Sequence, residues 1–238
     1  MKKYLSIILC LIILTAAAFF VLNINVTTRQ GINYQWHTVK IPLYLKLLDF
    51  FDRHYNYKEL VKRITLNAKD DRVKAMRIFE WTCNNLKRAP QTLPVVDDHV
   101  WHIIVRGYGA RDQFSDVFST LCNYAGLDAF YTWVYTQERT SRIPLSFVEL
   151  SGKWFIFDPY NGAYFTNAQG LPVDIDAIKL GNSWRVKHLR TEINPTDLDV
   201  DYSRYFGNFP DTKKAALRKA NIQSPVNRLF FEIQKRIK

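Results

Sequence analysis

Three cysteines, five histidines and a set of scattered acids are the side chains with which this 238-residue chain could do covalent or metal chemistry. A cysteine attacks only as its thiolate, so a nucleophilic one needs a cationic neighbour or a helix N-terminus. Cys10 lies in an apolar N-terminal run. Cys83 belongs to the series Ala75, Met76, Phe79, Cys83, Leu86, and Cys122 to Phe114, Val117, Phe118, Leu121, Cys122, Ala125. Both series have helical spacing, which places each thiol on a buried stripe where desolvation keeps it protonated. Core packing is therefore the expectation for both, and a Cys83 to Cys122 bridge stays open. His99 and His102 precede the second helix and His188 comes much later; surface or loop positions are expected for all three. Asp97, Asp98, His99 and His102 are of ligating types, but with no second cluster they read as a polar loop, and no metal is expected. The chain has neither a phosphate-binding glycine loop nor a nucleotide fingerprint, so no cofactor is expected.

The remaining polar cluster is Arg111, Asp112 and Gln113, at the start of the helix that carries Cys122. A cation there opposes the helix dipole unless an anion lies close. That anion is either internal, Asp158 or Asp112, or a bound ligand such as a peptide carboxylate or a sugar acid.

Positioning these groups falls to a small number of elements. A helix is expected from Pro42 to about His54, another over 71–86, and a third over 112–125 ended by Gly126, which suits a left-handed C-terminal position. Between the last two, Pro90, Pro94, Gly107 and Gly109 mark a loop ending in a turn. Ala129 to Thr136, Leu145 to Leu150 and Trp154 to Asp158 read as strands, the last two joined by Ser151, Gly152 and Lys153 as an antiparallel hairpin. Tyr160, Asn161, Gly162, Tyr164 and Phe165 suggest another hairpin, with short helices after it. Helices first and a sheet afterwards indicate an α+β fold. From Ser224 and Pro225 onward, Leu229, Phe230, Ile233 and Ile237 oppose Arg228, Lys235 and Lys238, as in an amphipathic terminal helix that packs on its own domain or on a membrane.

Nineteen uncharged residues, Tyr4 to Leu22, follow Lys2 and Lys3, and the next charge is Arg29. The run is long enough to span a bilayer. A cleaved signal peptide would use Ala16 to Ala18, yet apolar sequence continues through Leu22, so an uncleaved anchor is expected. The organisation is then a transmembrane signal-anchor over 1–26, a linker over 27–40 and one domain over 41–238. Positive charge stays cytoplasmic, which places the domain on the extracytoplasmic side of a single-pass membrane protein. Composition, 47% hydrophobic and 15% aromatic, suffices for one core. The net charge of +11 suits anionic headgroups or envelope polysaccharide, and the location disfavours nucleic acid.

GYGARDQFSDVFSTLCNYAGLDAFYTWVY, followed by PLSFVELSGKWFIFDPYNG, resembles the core of transglutaminase-like proteins, which share the papain-like thiol-protease architecture. The resemblance implies N-terminal helices packed on an antiparallel sheet, here preceded by one transmembrane helix. It also implies a cysteine starting a helix, a histidine on a strand and an aspartate closing the next strand before proline. These serve as nucleophile, base and orienting carboxylate. Counting from Gly126 places the cysteine position at Arg111, and the hairpin places the histidine position at Leu145, while the aspartate is kept as Asp158. Cys122, eleven residues beyond Arg111, sits about 16 Å along the helix. The resemblance thus implies a pseudoenzyme: a binding or assembly module of the cell envelope, with a peptide, glycan, membrane or envelope-protein partner. Arg111, Asp112, Gln113 and Asp158 are its candidate ligand-binding residues. The alternative is a divergent hydrolase or acyltransferase using Asp158 with Asp112, or a displaced cysteine.

Overall fold

The structure, a computed structural model, describes residues 2–32, 35–90, 92, 99–181, 183–189 and 200–212. Asp97, Asp98 and the segment from Ser224 onward lie outside them. The chain divides into two compact units, and the division falls between Tyr55 and Asn56.

In the first unit, α1 (Lys2–Leu22) is a helix long and apolar enough to cross a membrane. At about 1.5 Å per residue its 21 residues reach about 30 Å, the thickness of a hydrocarbon core. The segment expected as a linker is instead a β hairpin, β1 (Asn25–Ile32) and β2 (Gln35–Pro42), paired throughout from Asn25 with Pro42 to Ile32 with Gln35. Its β-branched residues, Val26, Thr27, Thr28, Val39 and Ile41, favour extended backbone over a flexible tether. The helix after Pro42, α2 (Leu43–Ile64), runs ten residues beyond the expected end at His54. No proline or glycine interrupts it, and its last two turns bury Tyr57 and Val61 in the second unit.

The second unit contains α3 (Asp71–Asn85), β3 (Lys87–Arg88), α4 (Val100–Arg106), β4 (Tyr108–Gly109) and α5 (Arg111–Tyr124). Asp70 caps α3, its carboxylate accepting the Val73 amide at 2.8 Å. The turn expected at Gly107 is present, but a short helix, α4, precedes it and ends on Gly107 at φ 75°. Helix α5 closes as expected: Gly126 takes φ 85° and the Leu127 amide donates to the Cys122 carbonyl at 3.0 Å, a Schellman closure.

The sheet is antiparallel in the order β5 (Ala129–Tyr135), β6 (Arg142–Leu150), β7 (Lys153–Asp158), β8 (Ala163–Thr166), β9 (Arg185–His188). Ser151 and Gly152, both at positive φ, make the two-residue turn between β6 and β7. Strand alternation gives the sheet two buried faces. Val148, Leu150 and Phe157 pack with α3, α4 and α5, whereas Ile143, Leu145, Phe147 and Ile156 pack with α6 (Ile175–Lys179) and the aromatic segment Tyr202, Tyr205, Phe206. The fold is α+β, with helices first and the sheet after them.

Candidate functional site

The turn from β7 to β8, Asp158-Pro159-Tyr160-Asn161-Gly162, gathers polar groups from five separate elements. Asp158 is fully buried, and both its oxygens are engaged: Oδ1 accepts the Asn161 amide at 3.1 Å, and Oδ2 accepts Asn161 Nδ2 at 2.7 Å and the Tyr202 hydroxyl at 2.8 Å. Burying a carboxylate is costly unless its oxygens find hydrogen-bond donors, and these three supply them. Burial and the Asp158 charge push the Tyr202 phenol far above the usual phenol range; a hydrogen bond from Asn161 and the positive charge of Arg111 oppose this weakly. Tyr202 is therefore a fixed neutral donor.

Asn161 links this centre outward. Its Oδ1 accepts Arg88 Nη2 at 3.1 Å, and its carbonyl lies 3.4 Å from His188 Nδ1. Cys83 donates its S–H to the Pro159 carbonyl at 3.4 Å. Tyr160 has two guanidinium groups near its ring, Arg88 4.4 Å and Arg111 5.3 Å from the centroid, and packs edge-on with Phe114 at 5.2 Å.

Helix α5 begins beside this turn. Gln113 is buried and acts as the helix cap: its Oε1 accepts the Ala110 amide at 2.9 Å and Arg106 Nη2 at 3.4 Å. Gly109 is required here, because a Cβ would sit 3.0 Å from that oxygen and 3.2 Å from Gln113 Cβ. Asp112 accepts the Gln113 amide at 3.1 Å. Arg111 forms no ion pair with either acid considered for it among the described residues; its guanidinium lies against Tyr160, and its buried Nε has no acceptor.

Ser146 and Phe157 are the last β6–β7 pair, and Leu145 and Asp158 are the next residues on the two strands. Leu145 is buried in the second core, and the β6 residue that meets α5 is Ser146, whose hydroxyl donates to the Ser115 carbonyl at 3.4 Å. Cys122 is fully buried and its thiol is pushed well above the ordinary value by burial, as expected of a stripe residue. Cys83 and Cys122 are free, so the open question of a bridge closes against it. His188 corrects the expectation for the histidines: it ends β9, is half-buried and reaches the Asn161 carbonyl, because that strand pairs Ala163 with His188. His99 and His102 stay near α4, their ring centres 6.1 Å apart, and no group of three ligating side chains occurs among the described residues.

A family model for the core of the transglutaminase-like superfamily matches residues 58–174. This stretch is a transglutaminase-like domain. Similar solved structures include a candidate cysteine protease from Cytophaga hutchinsonii, 16% identical over 63% of this chain and 58% of that one, TM-score 0.40. A candidate protease from Parabacteroides distasonis is 14% identical over 56% of this chain and 35% of that one, TM-score 0.37. A structure described as a TGase is 12% identical over 56% and 43%, also with TM-score 0.37. The chain thus spans less than two thirds of each. No curated protein matches it.

Arg88 and Tyr202 had no readable signal as site residues. Arg88 sits on a two-residue parallel strand, Lys87 and Arg88 beside Tyr108 and Gly109, and Tyr202 arrives from 44 residues past Asp158. Only Asn161 had a local cue, since Asp-Pro-Tyr-Asn-Gly has the composition of a side-chain-capped turn.

Proposed function

We propose that this chain is a membrane-anchored, extracytoplasmic transglutaminase-like module that binds a ligand or an envelope partner without catalysing thiol chemistry. The observation that carries this reading is the state of Asp158. In a thiol acyltransferase such a carboxylate orients an imidazole. Here the oxygens of Asp158 serve Asn161 and Tyr202, and the position that the resemblance gives to the histidine is Leu145. The residue opening the helix is Arg111, which can hold an anion but cannot attack a carbonyl. Helix α1, with Lys2 and Lys3 in its first turn, supports a single-pass anchor with the lysines inside, and the net charge of +11 suits an anionic envelope environment.

The test is labelling of the detergent-solubilised chain by a thiol-reactive probe at neutral pH, against Cys83→Ala and Cys122→Ala. Labelling confined to Cys10 until the domain is unfolded is the expected result. Modification of Cys83 or Cys122 in the native state faster than a free thiol would overturn the non-catalytic reading. Sidedness is checked separately by protease protection of membrane vesicles: the domain should be degraded only when the extracytoplasmic face is accessible.

One observation favours the second reading, a divergent hydrolase or acyltransferase. Cys83 and His188 both touch the 158–162 turn, through Pro159 and Asn161. Against it, Cys83 is 1% exposed and acts as a hydrogen-bond donor, which requires the protonated thiol. A His188→Ala variant that abolished a measured hydrolytic activity would favour that reading.

A further inference from the structure

We infer that the first part of α2, from Leu43 to Tyr55, lies along the bilayer surface where α1 leaves it and seats an apolar stripe between the lipid headgroups and the upper acyl chains. This rests on the anchor reading above and adds a second membrane contact to it.

Three observations carry it. Tyr44, Leu48, Phe51 and Tyr55 recur at helical spacing, so they share one face of α2, with Leu45 at its flank. All five are exposed, Leu48 at 58% and Tyr55 at 64%. The hairpin then fixes where this stripe begins. Helix α1 ends at Leu22, Asn25 pairs with Pro42 at the base of the hairpin, and the Leu43 amide donates to the Ile24 carbonyl at 2.9 Å. Helix α2 therefore starts one hydrogen bond away from the second residue past α1, within the headgroup layer, which is roughly 5–8 Å deep on each side of the hydrocarbon core. Lastly, Lys46 lies across the helix from the stripe, and its Nζ donates to the Thr27 carbonyl at 2.8 Å. That side faces β1, so the stripe turns away from the hairpin.

The chemistry selects lipid as the cover. Leu48 and Phe51 sit between two tyrosines, and a tyrosine pairs an apolar ring with a polar hydroxyl, the combination favoured where membrane meets water. Asp49 and Asp52, exposed to one side of the stripe, hold the helix at the surface and out of the hydrocarbon. Five side chains of roughly 200 Å² each, about half exposed, offer on the order of 500 Å², below the about 800 Å² per partner of a stable protein interface. A second copy of the chain would thus find little to hold. The length of the stripe decides the tilt. From Tyr44 to Tyr55 it runs about 16 Å, so a helix standing upright on the membrane would leave Phe51 and Tyr55 in water, whereas one lying in the plane covers all five.

The test uses the full chain in lipid nanodiscs, in a Cys10→Ser background, with a nitroxide on one introduced cysteine at a time: Leu48→Cys, Phe51→Cys, Tyr55→Cys, Asp49→Cys or Ile12→Cys. The parent, whose remaining thiols are the buried Cys83 and Cys122, should take up no label. All five positions are exposed, and circular dichroism of each variant checks that the chain stays folded. The ratio of collisions with oxygen, which concentrates in lipid, to collisions with a water-soluble nickel chelate reports depth. Labels at Leu48, Phe51 and Tyr55 should read severalfold above the label at Asp49, which lies off the stripe, and below the label at Ile12, midway along α1. Ile12 in lipid with the stripe at the Asp49 value would overturn the surface contact and leave the anchor standing. Lipid contact at Leu48 with Tyr55 in water would overturn the in-plane helix. Stripe labels shielded from both colliders would overturn the lipid assignment, and dipolar broadening between them would mark a second copy of the chain as the cover. Ile12 in water would overturn the anchor reading itself.

Discussion

The two faces of the five-stranded sheet are buried by different means. One is covered by helices, and its centre is a knot of rings: Phe79 lies 5.1 Å from Phe157, 5.6 Å from Phe118 and 6.0 Å from Tyr164. The other is covered by α6 and an irregular segment, where Tyr202 and Phe206 pack on Phe165 at 5.0 and 4.9 Å. The irregular cover is pinned by polar hooks: Tyr202 on Asp158, the Tyr205 hydroxyl 3.0 Å from Ser141 Oγ, and Asn208 Nδ2 donating to the Thr136 carbonyl at 3.1 Å. The helical face adds to its rings a few bonds between α5 and the strands, from Ser146 Oγ to the Ser115 carbonyl at 3.4 Å and from Asn123 Nδ2 to the Ala129 carbonyl at 2.7 Å, while the irregular cover of the opposite face depends on its hooks for register, one of which ends on the carboxylate at the candidate site.

The largest effect should therefore come from the helical face. Phe79 is fully buried on α3, and Phe79→Ala should cost about 3–5 kcal/mol by lost transfer and cavity formation. Urea unfolding of the solubilised chain, followed by tryptophan fluorescence, measures it. A cost below that of the Tyr202 variant described next would break the contrast between the faces.

This contrast also explains what was legible in the sequence. On the helical side each element carries its own period. The stripe Phe114, Val117, Phe118, Leu121, Cys122 specifies both the helix and the residues it buries, and Gly126 marks its end. The β6–β7 hairpin was equally readable, because Ser151 and Gly152 form a turn with a local signature. The site was only half legible. Arg111 opens α5 and Asp158 closes β7, but Leu145 lies inside β6, which starts at Arg142, and of the two partners left open for Arg111 the internal acids Asp158 and Asp112 form no ion pair with it, its guanidinium lying against Tyr160. Arg88, Tyr202 and His188 reach the same turn from 70, 44 and 30 residues away from Asp158, separations at which no periodicity links residues. The 27–40 hairpin was missed for a different reason: its polar residues mask a strand signal carried only by β-branched side chains.

The middle effect sharpens the comparison at its hinge. Tyr202→Phe keeps the ring packed on Phe165 and removes the 2.8 Å bond to Asp158 together with a longer one, 3.4 Å, accepted from Asn161 Nδ2. Asn161 retains two bonds to the carboxylate, so the loss should be that of one charged hydrogen bond, about 1.5–3 kcal/mol. Double-variant analysis with Asp158→Asn isolates the pair. If Tyr202→Phe costs no more in the wild-type background than in Asp158→Asn, the hydroxyl does not hold the C-terminal segment to the site, and the cover rests mainly on ring packing, as the other face does.

The smallest effect lies at the rim of the second face, and pH separates it from the rest. Asp174 caps α6, with Oδ1 accepting the Ala177 amide at 2.9 Å and Oδ2 3.1 Å from Lys153 Nζ. Burial raises its carboxyl, but the Ala177 amide and the Lys153 ammonium outweigh burial and hold it below the usual value. A folded-state pKa below the unfolded one means that the stabilisation is present above the unfolded value, near 4, and is lost as pH falls through the folded value. Asp174→Asn keeps a capping oxygen and loses the charge, so at pH 7 it should cost no more than about 1 kcal/mol, the range of an exposed pair and a capping charge. Comparing urea midpoints of wild type and Asp174→Asn at pH 7 and at about pH 3 decides it. The gap should close at the lower pH. A gap that stays constant would mean that the amide cap alone fixes α6 over Val173 and Ile178, and that the ion pair to β7 contributes nothing to holding this face.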